Sequence, residues 1–150
     1  MTIRMLAWND YEDHRKILKD YEEEFSEKIG SKLEITVVSS FKELALASRK
    51  KEYDIVCIDL FTFVDEDVNN PALCKHLCKQ TANGVSQRLP RTIMVGYSEL
   101  DAENWPEDIR QYFNEITDYN HFLELRTNWN VGEIPMLSFK EIVDKYQIGK

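Results

Sequence analysis

The sequence predicts an α/β fold in which helices alternate with the strands of a parallel sheet. The first observation is the segment Tyr53–Leu60, which contains a short apolar run, Ile55 to Ile58, that ends on a single carboxylate, Asp59. A strand buried on both faces of a parallel sheet is continuously apolar and rich in β-branched residues, as Ile55 to Ile58 are. The second observation is that segments with a helical apolar period separate this run from other β-branched runs. Strands that alternate with helices form parallel sheets with right-handed crossovers.

The first part of the chain contains three predicted strands and two predicted helices. The strands are expected at Ile3–Trp8, at Leu33–Val38 and in the run that ends at Asp59. Between the first two, an amphipathic helix is predicted from Tyr11 to a stop at Gly30, because apolar residues recur at every fourth position: Ile17, Tyr21, Phe25 and Ile29. Ser40 to Glu43 matches a capping box, so a second helix is predicted from there to about Lys51.

The middle of the chain predicts two more helices and a fourth strand. Pro71 to Gln80 suits a short helix with proline in its first turn, and Asn83-Gly84 is typical of a stop signal. Thr92–Val95 is the predicted fourth strand. Trp105-Pro106 is expected to begin the next helix, whose apolar face has four residues. These are Ile109, Tyr112, Phe113 and Ile116.

The end of the chain leaves the fifth strand open between two segments. His121–Leu125 is one candidate, and Ile134–Leu137 is the other, although Pro135 would confine that segment to the edge of a sheet. Ser138 to Glu141 is a second capping box. It predicts a last helix with an apolar face of three residues. These are Ile142, Val143 and Tyr146.

The composition is that of one globular domain over residues 1–150. The net charge of −8 argues against nucleic-acid and anionic-membrane partners, because both require a basic face. No secretory signal is recognisable at the start, and no apolar run approaches the roughly 20 residues of a membrane span. We therefore expect a cytoplasmic protein. Its three cysteines do not predict a disulfide framework.

Three segments give the chain a resemblance to a known family. Asn9-Asp10 follows the first strand, Lys51–Leu60 contains the third strand and ends just after Asp59, and Thr92–Ser98 contains the fourth strand and ends on a hydroxyl. In this order they resemble the receiver domain of bacterial response regulators, such as the chemotaxis regulators. The resemblance implies a (βα)5 flavodoxin-like three-layer sandwich around a central parallel sheet of five strands.

The resemblance also implies a phosphotransfer site. It makes Asp59 the candidate phosphoacceptor and Ser98 the hydroxyl that senses the phosphorylated state. It implies a magnesium ion held by the carboxylates of Asp10 and Asp59 and by the carbonyl of Phe61, which are ligands that Mg²⁺ prefers. The implied partner is a protein, either a sensor kinase or a downstream effector, and a homodimer is a further candidate. The function implied is a stand-alone signalling module rather than an enzyme.

The sequence departs from this family at several positions. Asn9 stands where the family has an acid, which removes one charge from the metal site and predicts weaker Mg²⁺ binding. The hydroxyl position falls on Gly96 by strand count, and Ser98 lies two residues later. The family's Lys-Pro has no clean counterpart either near Glu124–Arg126 or at Lys140. The region from about 101 to 137 also diverges in length. We therefore expect an atypical receiver or pseudo-receiver.

Two other functions compete with this one. The run from Asp59 to Asp65 loosely resembles the nucleophile motif of haloacid-dehalogenase-like phosphatases, with Ser98 as a second motif, but the family's lysine and later acidic pair are not evident. The other alternative is an α/β module that binds a small ligand. The loop after Trp8 is acidic and has no glycine, which disfavours nucleotide and flavin phosphates.

Three residues outside these motifs invite a functional interpretation. Cys74 and Cys78 are four residues apart and can share one face of a helix. A zinc site would need two further ligands, so buried thiols facing the sheet are the favoured interpretation. Trp129 has polar neighbours and is the candidate for an exposed aromatic anchor.

Overall fold

The computed structural model describes residues 2–9, 12–59, 71–98, 110–118, 122–123 and 137–149, without the side chains of residues 71–75, 98 and 118. These ranges contain five strands and four helices. The strands are β1 (Thr2–Trp8), β2 (Lys32–Val38), β3 (Ile55–Asp59), β4 (Ile93–Ser98) and β5 (Glu115–Asp118). The helices are α1 (Glu12–Ile29), α2 (Phe41–Lys50), α3 (Pro71–Arg88) and α4 (Phe139–Lys145).

The five strands form one parallel sheet in the order β2-β1-β3-β4-β5. This is the strand order of flavodoxin-like folds, so the predicted fold class is confirmed. The central strand is β3, and its residue Cys57 pairs with Ala7 of β1 and Val95 of β4. Because all strands run the same way, their carboxyl ends meet at one end of the sheet. Asp59 closes β3 at that end.

Two apolar clusters cover the two faces of the sheet. Ile55 and Cys57 point to the side of α1 and α4, whereas Val56 and Ile58 point to the side of α2 and α3. All four side chains are completely buried, which explains why this strand is apolar at consecutive positions. The result is a three-layer sandwich. No helix in the described part of the chain is long and apolar enough to span a bilayer.

Both predicted capping boxes begin helices, but only one is complete. Ser138 accepts a hydrogen bond from the Glu141 N–H at 3.3 Å, and the Glu141 carboxylate accepts the Ser138 N–H at 3.2 Å. Ser40 likewise accepts the Glu43 N–H at 3.1 Å. The Glu43 carboxylate instead accepts the N–H of Ser39, at 2.8 Å. The box at Ser40 therefore secures the residue before the cap.

The third helix is longer than its sequence signals predicted. The expected stop at Asn83-Gly84 is wrong, because α3 continues to Arg88. Ala82 and Val85 are fully buried on either side of this pair, so packing against the sheet outweighs the low helix propensity of glycine. The Arg88 guanidinium also donates to Ser48 of α2 at 2.7 Å, which ties the end of α3 to its neighbour.

The fifth strand is Glu115–Asp118, so both predicted segments for it are wrong. Ile116, which was expected in a helix, pairs with Gly96 of β4. Described residues of the two rejected segments still contact the sheet or its core. Phe122 is fully buried, and the Leu137 carbonyl accepts a hydrogen bond from the Thr117 hydroxyl of β5 at 2.9 Å. Lys145 and Tyr146 of the last helix region donate to the Glu115 carboxylate at 2.5 and 2.6 Å. Tertiary contacts therefore define this short strand. The predicted start of a helix at Trp105-Pro106 lies outside the described residues.

Strand β2 lies at one side of the sheet, and side chains of α1 cover its outer backbone groups. The Leu33 N–H donates to Ser26 Oγ at 3.0 Å, and the Ile35 N–H donates to the Glu22 carboxylate at 2.9 Å. Lys19 donates to the same carboxylate at 2.9 Å and to the Ile35 carbonyl at 2.7 Å. Unpaired strand edges invite association with other chains, so these contacts protect the amino-terminal part of β2.

These contacts also change the acidity of Glu22. Burial acts to raise the pKa of Glu22, but the hydrogen bonds from Lys19 and the Ile35 amide outweigh burial and lower its pKa. The carboxylate then stabilises the fold above the pKa it has in the unfolded chain. This stabilisation is lost as the pH falls through the lower pKa of the folded state.

Glu22→Gln should therefore reduce the stability near neutral pH and have little effect in acid. We expect the free energy of unfolding to fall by about 1 kcal/mol at about pH 7, and the difference from wild type to vanish by about pH 3. Urea denaturation at both pH values measures this. Glu24→Gln, at an exposed position on the same helix, is the control and should follow wild type. A difference that is the same at both pH values would contradict the assignment.

Candidate functional site

The carboxyl ends of the strands bring the polar residues of the candidate site together. Asn9 follows β1 directly, Asp59 ends β3, and Ser98 ends β4. Trp8 pairs with Ile58, so Asn9 and Asp59 leave neighbouring strands at the same level. Open parallel sheets bind their ligands at this end. The ends of β1 and β3 therefore lie side by side at the end of the sheet where ligands bind.

Asn9 is completely buried, and contacts from the first turns of α1 hold it. The Arg15 guanidinium donates to the Asn9 carbonyl at 2.9 Å. The carboxamide nitrogen of Asn9 lies 3.5 Å from Nδ1 of His14, which is half-buried. No sequence pattern predicts these contacts, because His14 and Arg15 lie in a charged helix start that is typical of a solvated surface. Helical phase alone does not reveal that they turn back towards the end of β1.

The peptide group between Trp8 and Asn9 is held from two sides. Its N–H donates to the Val38 carbonyl of β2 at 3.2 Å. Its carbonyl accepts the hydroxyl of Tyr97, which belongs to β4, at 2.9 Å. The Trp8 side chain adds a third restraint, since its indole stacks on Phe41 of α2 with ring centroids 4.6 Å apart. The chain therefore leaves β1 in one fixed direction before it reaches Asp10.

Tyr97 is the residue of β4 that lies directly beside Asp59. The two are register partners, and partners in parallel strands project to the same face of the sheet. Tyr97 is fully buried and packs against Phe122, whereas Asp59 is half-buried. The hydroxyl-bearing residue aligned with Asp59 is therefore a tyrosine. The family pattern has Ser or Thr at the end of this strand, so the sequence alone did not indicate Tyr97.

The other predicted site residues fall into two groups. Asp10 and Phe61 lie outside the described residues. Ser98 lies one position beyond the partner of Asp59 and pairs with Asp118, and its side chain also lies outside the description. Gly96 pairs with Ile58, one residue before Asp59. Among the candidates for the family's lysine, Glu124–Arg126 lie outside the described residues, and Lys140 is exposed on α4.

The described side chains nearest to this end of the sheet suit a hard cation. Asp59 offers carboxylate oxygens and Asn9 offers a carboxamide, which are the ligand types of Mg²⁺ rather than of zinc. The described ranges contain no group of three His, Cys, Asp or Glu residues that could enclose a metal ion without further ligands. A magnesium ion would therefore depend on Asp59 together with donors from the segments that follow β1 and β3.

The described cysteines belong to the core. Cys78 is buried, as expected for a thiol on the face of α3 that packs on the sheet, and Cys57 of β3 is buried as well. Burial raises the pKa of the Cys57 thiol well above its usual value, which keeps the thiol protonated and unreactive. His76 is exposed, which argues against a shared metal site with Cys78. The side chain of Cys74 and all of Trp129 lie outside the description.

Comparison with known proteins identifies the fold. No family model and no curated protein matches the sequence. The chain resembles the solved complex of histidine kinase ThkA with response regulator TrrA, with 16% identity, a TM-score of 0.60, and coverage of 96% of this chain and 97% of that chain. It resembles the chemotaxis response regulator CheY4 of Vibrio cholerae, with 11% identity, a TM-score of 0.58 and coverage of 98% of both chains.

A third similar structure contains a metal ion. It is the receiver domain of a sensor histidine kinase from Pseudomonas aeruginosa, with magnesium coordinated in the active site cleft. Its identity to this chain is 10%, with a TM-score of 0.61 and coverage of 97% of this chain and 98% of that chain. The resemblance to receiver domains that the sequence predicted is therefore confirmed for the fold.

Asn9→Asp should strengthen Mg²⁺ binding, because it adds a negative charge next to Asp59. We expect a dissociation constant about tenfold lower, measured by isothermal titration calorimetry with MgCl₂. Asn114→Asp is the matched control. It adds the same charge at the opposite end of the sheet, where the Asn114 carboxamide accepts the Met94 N–H at 2.8 Å. An equal gain in Mg²⁺ affinity in both variants would show a general effect of charge and would contradict a metal site beside Asp59.

Proposed function

We propose that this protein is an atypical receiver of a phosphorelay, in which Asp59 accepts a phosphoryl group and the change is read by a protein partner. The observation that carries the proposal is the half-buried carboxylate of Asp59 at the carboxyl end of the central strand, beside the end of β1. This position gives a carboxylate access to solvent while the strand below it is rigid. It is therefore suited to a nucleophile that must be reached by a phosphodonor.

The chemistry proposed is a single displacement at phosphorus. A carboxylate oxygen of Asp59 forms the new bond to phosphorus, and the bond from phosphorus to the leaving group breaks. The leaving group is the acetate of acetyl phosphate, or the neutral imidazole of a donor phosphohistidine whose other ring nitrogen carries a proton, so atoms and charge balance. A magnesium ion, when bound, neutralises the phosphoryl oxygens. This chain would hold it through Asp10, Asp59 and the Phe61 carbonyl.

The structural relatives support this proposal through their own assemblies. One is solved with a histidine kinase, and another carries magnesium in its active site cleft. We extend those properties to this chain: a sensor kinase or a downstream effector as partner, and Mg²⁺ as a weakly held cofactor. On this proposal the protein signals through contacts and catalyses no turnover reaction of its own. The net charge of −8 is consistent with a protein partner rather than nucleic acid.

The phosphoryl group should be attached to Asp59, and its uptake should depend on Mg²⁺. Incubation with acetyl phosphate and MgCl₂ should add one phosphoryl group to the wild-type protein, detected by intact-mass spectrometry, and EDTA should abolish it. Asp59→Asn should remove the uptake completely, because the carboxamide is not a nucleophile of comparable strength.

Asp54→Asn is the matched control for this experiment. Asp54 lies at the other end of β3 and accepts the Arg4 N–H at 2.8 Å, a contact that an asparagine oxygen preserves. It should take up phosphate as wild type does. The proposal is wrong if the wild type gains no phosphate, or if Asp59→Asn gains as much as wild type. Release of phosphate from small phosphomonoesters that Asp59→Asn abolishes would instead favour the phosphatase alternative.

A further inference from the structure

We infer that Tyr97 is a positioning residue of the candidate site, acting through the peptide group that precedes Asn9 and Asp10. Tyr97 is on β4, and its hydroxyl donates to the carbonyl of Trp8 on β1, 2.9 Å away. These strands are not neighbours, since β3 lies between them. The side chain therefore bridges the central strand at the level of Asp59, where the site lies.

The register of the sheet makes this bridge specific to the site. Tyr97 pairs with Asp59, and Trp8 pairs with Ile58. The phenol therefore spans β3 next to Asp59 and ends on the last residue of β1. A shorter hydroxyl on β4 could not span this gap, since adjacent strands are about 4.8 Å apart and two such spacings separate β4 from β1. The length of a tyrosine side chain is needed for this bridge.

The accepting carbonyl belongs to the peptide group between Trp8 and Asn9, at the end of β1. The N–H of the same peptide group donates to the Val38 carbonyl at 3.2 Å, so β2 holds one side and Tyr97 holds the other. The next carbonyl, that of Asn9, accepts from Arg15 at 2.9 Å. Asp10 follows immediately in the chain. The backbone of Trp8 and Asn9 is thus held by hydrogen bonds that need no bound metal.

The burial of Tyr97 favours a fixed role over an occasional contact. Its side chain is completely buried, and its ring lies 5.8 Å from that of Phe122. A buried hydroxyl that lost its acceptor would remain away from water, which is unfavourable, so the bond to Trp8 is maintained. Removing only the hydroxyl should leave the ring packing intact. It should also loosen the peptide group before Asn9.

Tyr97→Phe is the variant that tests this inference. Its expected effect on phosphoryl uptake rests on the proposed function. The loss of one hydrogen bond corresponds to a change of roughly two- to tenfold. We expect the Mg²⁺ concentration for half-maximal phosphoryl uptake to rise about fivefold. We also expect the amide proton of Asn9 to exchange with solvent about fivefold faster, measured by NMR on ¹⁵N-labelled protein without Mg²⁺.

Tyr146→Phe is the matched control. It also removes one tyrosine hydroxyl bond, here the 2.6 Å contact with Glu115, at the other end of the sheet. A purely structural role would lower the unfolding midpoint in both variants and leave the Mg²⁺ dependence unchanged. The inference is overturned if Tyr97→Phe and Tyr146→Phe show the same Mg²⁺ dependence and the same Asn9 exchange. If the wild type takes up no phosphate, the proposed function fails, and Asn9 exchange alone then decides whether Tyr97 fixes this peptide group.

Discussion

The complete burial of β3 between its neighbours is the constraint on which the rest of the molecule depends. Ile55, Val56, Cys57 and Ile58 have no exposed surface, and they alternate between the two apolar clusters of the sandwich. A shift of one residue along this strand would exchange the two sets of side chains, so its register is strongly fixed. Asp59 is the first residue after this buried run that reaches solvent. Its position is therefore set by the packing of four apolar side chains.

The same constraint explains how much could be predicted from sequence. The run before Asp59 predicted its strand because burial on two faces leaves a direct signature in residue type. The capping boxes at Ser40 and Ser138 predicted helix starts because their contacts span only three residues. By contrast, β5 has the sequence Glu-Ile-Thr-Asp, which has no such signature. Contacts made by residues 20 to 31 positions later hold it in the sheet, including those of Glu115 with Lys145 and Tyr146.

In the candidate site, too, some features could be predicted from local sequence and others depend on contacts between distant elements. Asp59 could be predicted because it ends a recognisable strand, and Asn9 because it follows one. The contacts between elements could not be predicted, because they depend on how α1 and β4 pack on the sheet. His14 and Arg15 precede the first apolar residue of the helix pattern, Ile17, and nothing in that pattern orients them towards Asn9. No motif marks Tyr97, which lies beyond the predicted strand Thr92–Val95, and only the register with β3 places it beside Asp59.

The site combines a reduced charge with a firmly held backbone. A second acid in place of Asn9 would repel Asp59 in the absence of metal, and a bound cation would be needed to offset that repulsion. Asn9 removes that repulsion. Its buried backbone is instead held by Val38, Arg15 and, through the preceding carbonyl, Tyr97. Hydrogen bonds among neutral groups and one guanidinium thus hold the end of β1 before any ligand binds. Pre-organisation of this kind lowers the entropic cost of binding and partly offsets the weaker attraction for a cation.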